Sequence, residues 1–255
     1  MKTLIFDIET APSVSYVWGA WKQNIGLEMD LVPEGYVMSL SYKWLDSDIV
    51  HYLESRTDDD RNLLIKFRDV LDEADFVVAH NGKKFDIPLI TTRFVINDIK
   101  PPSPYKVIDT LVVAKKEMRF RRNSLAHLAE VLGCQHKKLS HSKYPGFKLW
   151  SECLKGNEEA WSEMRLYNEY DVIVLEEVYK KLRPYYSTHP NVTTADDPTS
   201  MACPKCGSIH IRKRGFFTTN KGKYQRYKCD SCGGWSSESY MINTRENRKN
   251  LLASR

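Results

Sequence analysis

Asp7 and Glu9 stand two residues apart inside Leu4-Ile5-Phe6-Asp7-Ile8-Glu9-Thr10, an apolar, β-prone run that predicts a buried strand almost at the start of the chain. A strand sends every second side chain to the same face, so the two acids project together. Burying unpaired charge costs several kcal/mol or forces protonation, and neighbouring carboxylates repel one another. A hard, oxygen-seeking cation such as Mg2+ or Mn2+ placed between them relieves both penalties. The competing possibility is a strand end whose acids simply reach solvent.

Two more acids fall where such a site would need them. Asp86 closes Ala79-His-Asn-Gly-Lys-Lys-Phe-Asp86, after an apolar run at 76–79 and at the start of a helical pattern. Ligand sites of α/β sheets lie at such strand ends, and Asn81-Gly82 is strong turn chemistry. Lys83 and Lys84 in the same turn are placed to meet phosphates, or else are merely solvated. Asp171 belongs to Tyr167-Asn-Glu-Tyr-Asp171, and four-residue spacing puts Tyr167 and Asp171 on one helix face. Val174 and Val178 continue that face, which marks it as the buried side, and a carboxylate there requires a partner. Taken singly, Asp86 reads equally as a helix N-cap and Asp171 as the partner of a core arginine.

The cysteines form a second constellation. Cys203-Pro-Lys-Cys206-Gly and Cys229-Asp-Ser-Cys232-Gly are paired knuckles, with 22 residues between the inner cysteines, while Cys134 and Cys153 stand alone. Four thiolates suit one tetrahedral, structural zinc ion, and a segment this short needs such a staple to fold. A redox dithiol is the rival.

These groups need elements to hold them. Residues 36–44 and 49–53 predict two strands that complete an antiparallel meander with the first. Residues 58–71 predict a helix whose three leading aspartates favour its positive end. Then come a parallel strand at 76–79, a helix at 87–95, a short strand at 106–108 and a helix at 109–116 capped by Asp109. Helices at 124–132 and 158–182 follow, with 134–156 read as largely loop. The stretch 11–34 is a long loop carrying Tyr16, Trp18 and Trp21, which either stack on bases or pack in the core. Arg119, Arg121 and Arg122 are a phosphate-contacting edge or a solvated face. This order of elements describes an α/β mixed sheet with an antiparallel flank and helices on it.

Charge divides the chain. Residues 201–255 carry 12 Lys/Arg against 3 acids, leaving the first 200 residues with a net charge of −4 out of +5 overall. A basic segment on an acidic body points to a polyanion such as nucleic acid, or to a solubilising tail. The apolar run after Lys2 is far too short for a secretory signal, and no stretch approaches the roughly twenty apolar residues of a membrane span. A soluble, cytoplasmic protein without a membrane partner is expected.

Asp-x-Glu on a first strand, Asn-x3-Phe-Asp after a later strand and Tyr-x3-Asp on a late helix, in that order, resemble the DEDD superfamily of 3′–5′ exonucleases on the ribonuclease H-like fold. The resemblance covers residues 1–184 and is closest to the tyrosine branch, similar to proofreading domains of family B DNA polymerases. The histidine branch would have His where this chain has Leu166, and no polymerase palm or thumb sequence accompanies the motifs. The resemblance implies that Asp7, Glu9 and Asp171 hold one Mg2+ or Mn2+ ion, with Asp7 bridging to a second that Asp86 reaches, directly or through water. Such a pair activates water and stabilises both oxygens of an in-line displacement on phosphorus. Tyr167 would orient the attacking water, since a phenol with a free pKa of ~10 is a poor base near neutrality. Thr10, Asn81, Lys83 and Lys84 would contact the substrate.

The cysteine segment is similar to zinc ribbons of transposase-type DNA-binding proteins. Arg212, Lys213, Arg214, Lys223 and Arg226, interleaved with Phe216, Phe217, Tyr224 and Tyr227, suit phosphate contact and base stacking. The alternative is docking to a replication or repair protein. The expected organisation is a ribonuclease H-like exonuclease domain at 1–186, a linker at 187–200, a zinc ribbon at 201–240 and a basic, flexible or weakly helical tail at 241–255. The expected activity is hydrolysis of single-stranded nucleic acid from the 3′ end, DNA preferred because the tyrosine branch favours it. The rivals are a structure-selective endonuclease on the same fold and an inactive nucleic-acid-binding protein.

Overall fold

The computed structural model describes residues 1–19, 21–22, 24–26, 34–137, 139, 143–194 and 200–252. Parts of the expected 11–34 loop, of the 134–156 stretch and of the 187–200 linker therefore lie outside the described residues. The chain divides into two compact units, Lys2–Tyr179 and Lys180–Arg255.

The first unit is organised on β1 (Thr3–Thr10), whose first four residues are fully buried. It pairs antiparallel with β2 (Val37–Trp44), and β2 pairs antiparallel with β3 (His51–Glu54). On its other side β1 runs parallel to β4 (Phe76–Ala79), which runs parallel to β5 (Lys106–Asp109), giving the order β3-β2-β1-β4-β5. The meander and the parallel strands are as the sequence predicts, with β3 shifted to start at His51. The result is an α/β, ribonuclease H-like mixed sheet flanked by helices.

Period-two alternation gives β1 two different faces. Leu4, Phe6 and Ile8 join Leu63, Leu64, Phe67 and Leu71 of α1 (Arg61–Asp72) and Ile90 and Phe94 of α2 (Asp86–Ile96) in one core. Asp7 and Glu9 point to the other face. Their cross-strand partners are Ser41 and Ser39, both fully buried and small enough to let a helix approach closely. That helix is α6 (Glu158–Leu182). Lys43 of β2 makes a buried ion pair with Glu176 of α6, and Glu176 Oε1 also accepts from the Asp46 N–H at 2.8 Å. A pair so desolvated fixes the register of helix on sheet, because shifting it would strand both charges.

One local expectation is corrected and two are made specific. The aspartates at 58–60 do not occupy the first turn of α1, which starts at Arg61. Asp60 instead turns inward, where the Arg93 fork donates to both its oxygens at 2.8 and 2.9 Å and the Val37 N–H adds a third bond at 3.0 Å. The stretch at 134–156 is largely loop among its described residues, but it includes one short helix, α5 (Lys148–Leu154), which buries Leu149 and Cys153 against Trp161 and Met164. Tyr16, Trp18 and Trp21 are exposed rather than packed in the core. Asp109 does cap α3 (Thr110–Glu117), accepting from the Leu111 and Val112 N–H groups. α4 (Leu125–Val131) lies where its apolar spacing places it.

The second unit contains a three-stranded antiparallel sheet of β6 (Ile211–Thr218), β7 (Lys223–Cys229) and β8 (Trp235–Ser237), followed by α7 (Arg245–Lys249). Part of the expected linker is tied down, since the Val192 N–H donates to Pro204 O at 2.8 Å. Among the described residues, no helix is long and apolar enough to cross a membrane.

Candidate active site and cysteine cluster

β1 extends beyond β4, which pairs only with Thr3–Ile5. The strand's second half therefore has no β4 partner on that side, where the Ile8 N–H meets Asp86 instead, and this overhang is where the acids gather. Asp7, Glu9 and Asp171 each offer a carboxylate oxygen, and these lie within 4.8 Å of one another. Asp171 is 1% exposed on α6, while Asp7 and Glu9 are half-buried. Three hard oxygen donors at this spacing, in a setting that penalises bare charge, suit a divalent cation.

Asn168 links helix and strand. It is fully buried, its Nδ2 donates to Asp7 Oδ2 at 2.9 Å, and its Oδ1 accepts from Ser39 Oγ at 2.8 Å. Sequence reasoning missed it, although Asn168 and Asp171 are three apart and so share the face of α6 that meets the sheet.

Asp86 lies outside this group of three but beside the same strand. It is the first residue of α2 rather than its N-cap, and it is 4% exposed. Burial, helped by the nearby Asp109 charge and opposed by the N–H groups of Asp86 itself and Ile8, pushes its carboxyl up to about 6. Contact with the Ile8 N–H puts Asp86 against β1 between Asp7 and Glu9 in sequence. The turn that delivers it is closely built. Asn81 has φ 69, its N–H donates to Asp109 Oδ1 at 3.0 Å, and the Lys83 N–H donates to Oδ2 at 3.1 Å. A Cβ at Gly82 would lie 2.4 Å from Ala79 Cβ, so only glycine fits. The Lys83 and Lys84 side chains are exposed.

Tyr167 is 7% exposed, one helical turn before Asp171, with its ring edge-on to Trp150 of α5 at 6.0 Å. Thr10, Pro12, Phe147 and Trp150 line an open cleft of about 380 Å3. Trp150 and Phe147 were hidden in the sequence because α5 was read as loop.

The sequence matches the RNase_H superfamily over residues 27–183, more than half of the chain. The chain belongs to the RNase_H superfamily. No curated protein matches it. Among solved structures it is similar to the family B DNA polymerase from the hyperthermophilic archaeon Pyrobaculum calidifontis, at 17% identity and a TM-score of 0.49. That match covers 72% of this chain and 26% of the polymerase, so the chain spans about a quarter of the polymerase's length. Membership of the RNase_H superfamily points to nuclease-type chemistry on nucleic acid, for which the acidic group supplies a place for divalent metal.

This RNase_H chain carries a second group able to hold a metal. Cys203, Cys206, Cys229 and Cys232 have sulfurs within 4.8 Å of one another, with Cys203 to Cys232 and Cys206 to Cys229 both 3.7 Å apart. A disulfide would need about 2.05 Å, whereas sulfurs about 2.3 Å from a tetrahedral centre are about 3.8 Å apart. Gly207 and Gly233 follow the knuckles with φ 76 and 75, and their N–H groups donate to Cys203 O and Cys229 O. Burial alone would raise the Cys229 thiol, but N–H groups of Cys232 and Ser231 and the sulfurs of Cys206 and Cys232 bring it down to about 7.

The basic and aromatic residues of this sheet do not all share one surface. Tyr227 is 6% exposed and donates to Glu238 Oε1 at 2.5 Å, so it is no stacking platform. Arg212 is forked onto Asp230 at 2.6 and 2.8 Å. Arg226 donates to Arg214 O at 3.0 Å, and the Lys223 ammonium sits 3.8 Å from the Phe216 ring centroid. Lys213 pairs in register with Tyr227.

Proposed function

We propose that this protein is a metal-dependent 3′–5′ exonuclease of the DEDD tyrosine branch, acting on single-stranded nucleic acid with DNA preferred. The observation that carries this function is the convergence of Asp7, Glu9 and Asp171 within 4.8 Å, with Tyr167 one turn away on the same helix. Two Mg2+ or Mn2+ ions would supply Lewis acidity and a water of lowered pKa. Asp7, Glu9 and Asp171 would hold one ion, and Asp86, directly or through water, would help Asp7 hold the other. Tyr167 orients the attacking water, and Asn81 and Thr10 position the strand end. Lys83 and Lys84 meet phosphates. The cleft bordered by Thr10, Phe147 and Trp150 takes the terminal nucleotide, whose unpaired base would stack on an aromatic ring.

The catalytic domain is residues 1–186, joined by 187–200 to a zinc ribbon at 201–240 and a basic tail at 241–255. One structural Zn2+ fits the four sulfurs and leaves no open coordination position. The ribbon's part is to hold nucleic acid. A closed circular single strand, incubated with Mg2+ beside its linear form, tests the exonuclease assignment. Loss of the linear strand with the circle intact supports it, and opening of the circle makes the enzyme an endonuclease.

A further inference from the structure

Alternation along β7 places Tyr224, Arg226 and Lys228 on one face of the small sheet, and Lys223, Gln225 and Tyr227 on the other. Register extends the first face across all three strands. Arg212 pairs with Lys228, Lys228 pairs with Trp235, and Phe217 pairs with Tyr224. The contacts agree with the register. The Arg226 guanidinium lies 4.6 Å from the Trp235 ring centroid, the Lys228 ammonium lies 5.9 Å from it, and the Phe217 and Tyr224 rings are 6.2 Å apart. Trp235 and Phe217 nevertheless remain 45% and 49% exposed.

The opposite face has a different character. Tyr227 is buried there against Glu238, and Lys223 covers Phe216. The first face carries two accessible rings, Phe217 and Trp235, with Arg226 and Lys228 beside Trp235, whereas the opposite face offers Phe216 alone, with Lys223 against it. A row of rings and cations on a segment with 12 basic residues against 3 acids has the chemistry of a track for an unpaired, anionic strand. A duplex hides its base faces and could use only the cations.

We propose that the Phe217–Tyr224–Arg226–Lys228–Trp235 face binds single-stranded nucleic acid by base stacking, with Trp235 as its central platform. This deepens the nucleic-acid role given above to the ribbon and rests on it. The sequence-derived contacts are thereby narrowed: Arg226 belongs to the track, while Lys213 and Lys223 lie on the other face.

The test uses the full-length, zinc-loaded chain carrying Asp7→Ala, so that cleavage does not consume the probe. Binding of a fluorescent oligothymidylate, and of a duplex of equal length, is measured by anisotropy. Phe217→Ala and Phe216→Ala form a matched pair, since the two rings are adjacent and nearly equally exposed on opposite faces. Phe217→Ala and Trp235→Ala should each weaken oligothymidylate binding roughly five- to a hundred-fold, the range of one lost base stack. Phe216→Ala should change it less than about twofold, and duplex binding should change little in any variant. Equal losses from Phe216→Ala and Phe217→Ala overturn the proposal, as does unchanged oligothymidylate binding in both Phe217→Ala and Trp235→Ala. Should Trp235→Ala lose its zinc, the phenylalanine pair decides alone. Failure here is separable from failure of the exonuclease assignment, which the circular-substrate experiment tests on other residues.

Discussion

Asn168 Nδ2 donates to Asp7 Oδ2 at 2.9 Å, from a fully buried position on α6 whose other amide atom accepts from Ser39 of β2. This one side chain fixes the carboxylate proposed to bridge two ions, and couples it to the adjacent strand and the helix that carries Tyr167 and Asp171. Groups that orient metal ligands from behind typically contribute 10–100-fold to affinity or rate. Asn168→Ala should therefore lower nuclease activity by about that factor and raise the Mg2+ concentration needed for half-maximal rate. A purely structural role would lower the melting temperature without shifting the metal dependence.

The Lys43–Glu176 pair should behave as a buried bolt rather than a source of net stability. Lys43→Met alone leaves Glu176 buried without its cation and should cost about 3–5 kcal/mol in denaturant unfolding. Lys43→Met with Glu176→Leu should recover most of that loss, measured as a double-mutant cycle. The Asp46 N–H bond to Glu176 is the part that leucine cannot restore.

Asp86 predicts a pH dependence with opposite signs for the free and metal-loaded chain. Its carboxyl is held up to about 6 when folded, against 3.8 for an ordinary aspartate, so the folded chain binds the extra proton between those values. The stability this acid contributes is complete below about pH 4 and is lost as pH rises through 6, worth up to ~3 kcal/mol for a fully buried group. In chelator, Asp86→Asn should therefore become stabilising relative to the parent above pH 6. In Mn2+ the order should reverse, because the ion needs the carboxylate and binds better as pH rises. Melting curves of both proteins at pH 5 and 7.5, with and without Mn2+, check both halves.

Metal analysis of the purified chain should find one zinc, abolished by Cys206→Ser, which removes one of four sulfurs within 4.8 Å of one another. Loss of zinc should abolish the preference for single strands over duplex while leaving Asp7-dependent cleavage detectable. A thiol count below the chain's six cysteines, with no bound metal, would instead favour redox chemistry.

How much of this was legible in the sequence depended on the range of the interactions involved. β1 and its acid pair could be read from a two-residue period, and Asp171 from its place on an apolar helical stripe. α5 could not, because seven residues between Gly146 and Gly156 form a helix only through packing of Leu149 and Cys153. The fate of Asp60 was equally hidden, since its arginine partner lies 33 residues away. Asn168 looked like an ordinary polar residue until its two partners on β1 and β2 were brought to it. In the small sheet, composition pointed to nucleic acid, but only the β6–β7–β8 register separates Trp235 from the buried Tyr227.

Metal-dependent removal of nucleotides from a 3′ end should take place at the Asp7 site. The most direct measurement follows a 5′-labelled single strand, in DNA and RNA versions, incubated with Mg2+ or Mn2+ beside an Asp7→Ala control. A ladder shortening from the 3′ end in the parent and absent from the control is the predicted result, and comparison of the two strands identifies the sugar preferred. Discrete internal cuts, a ladder that survives Asp7→Ala, or intact strands that remain bound would contradict it.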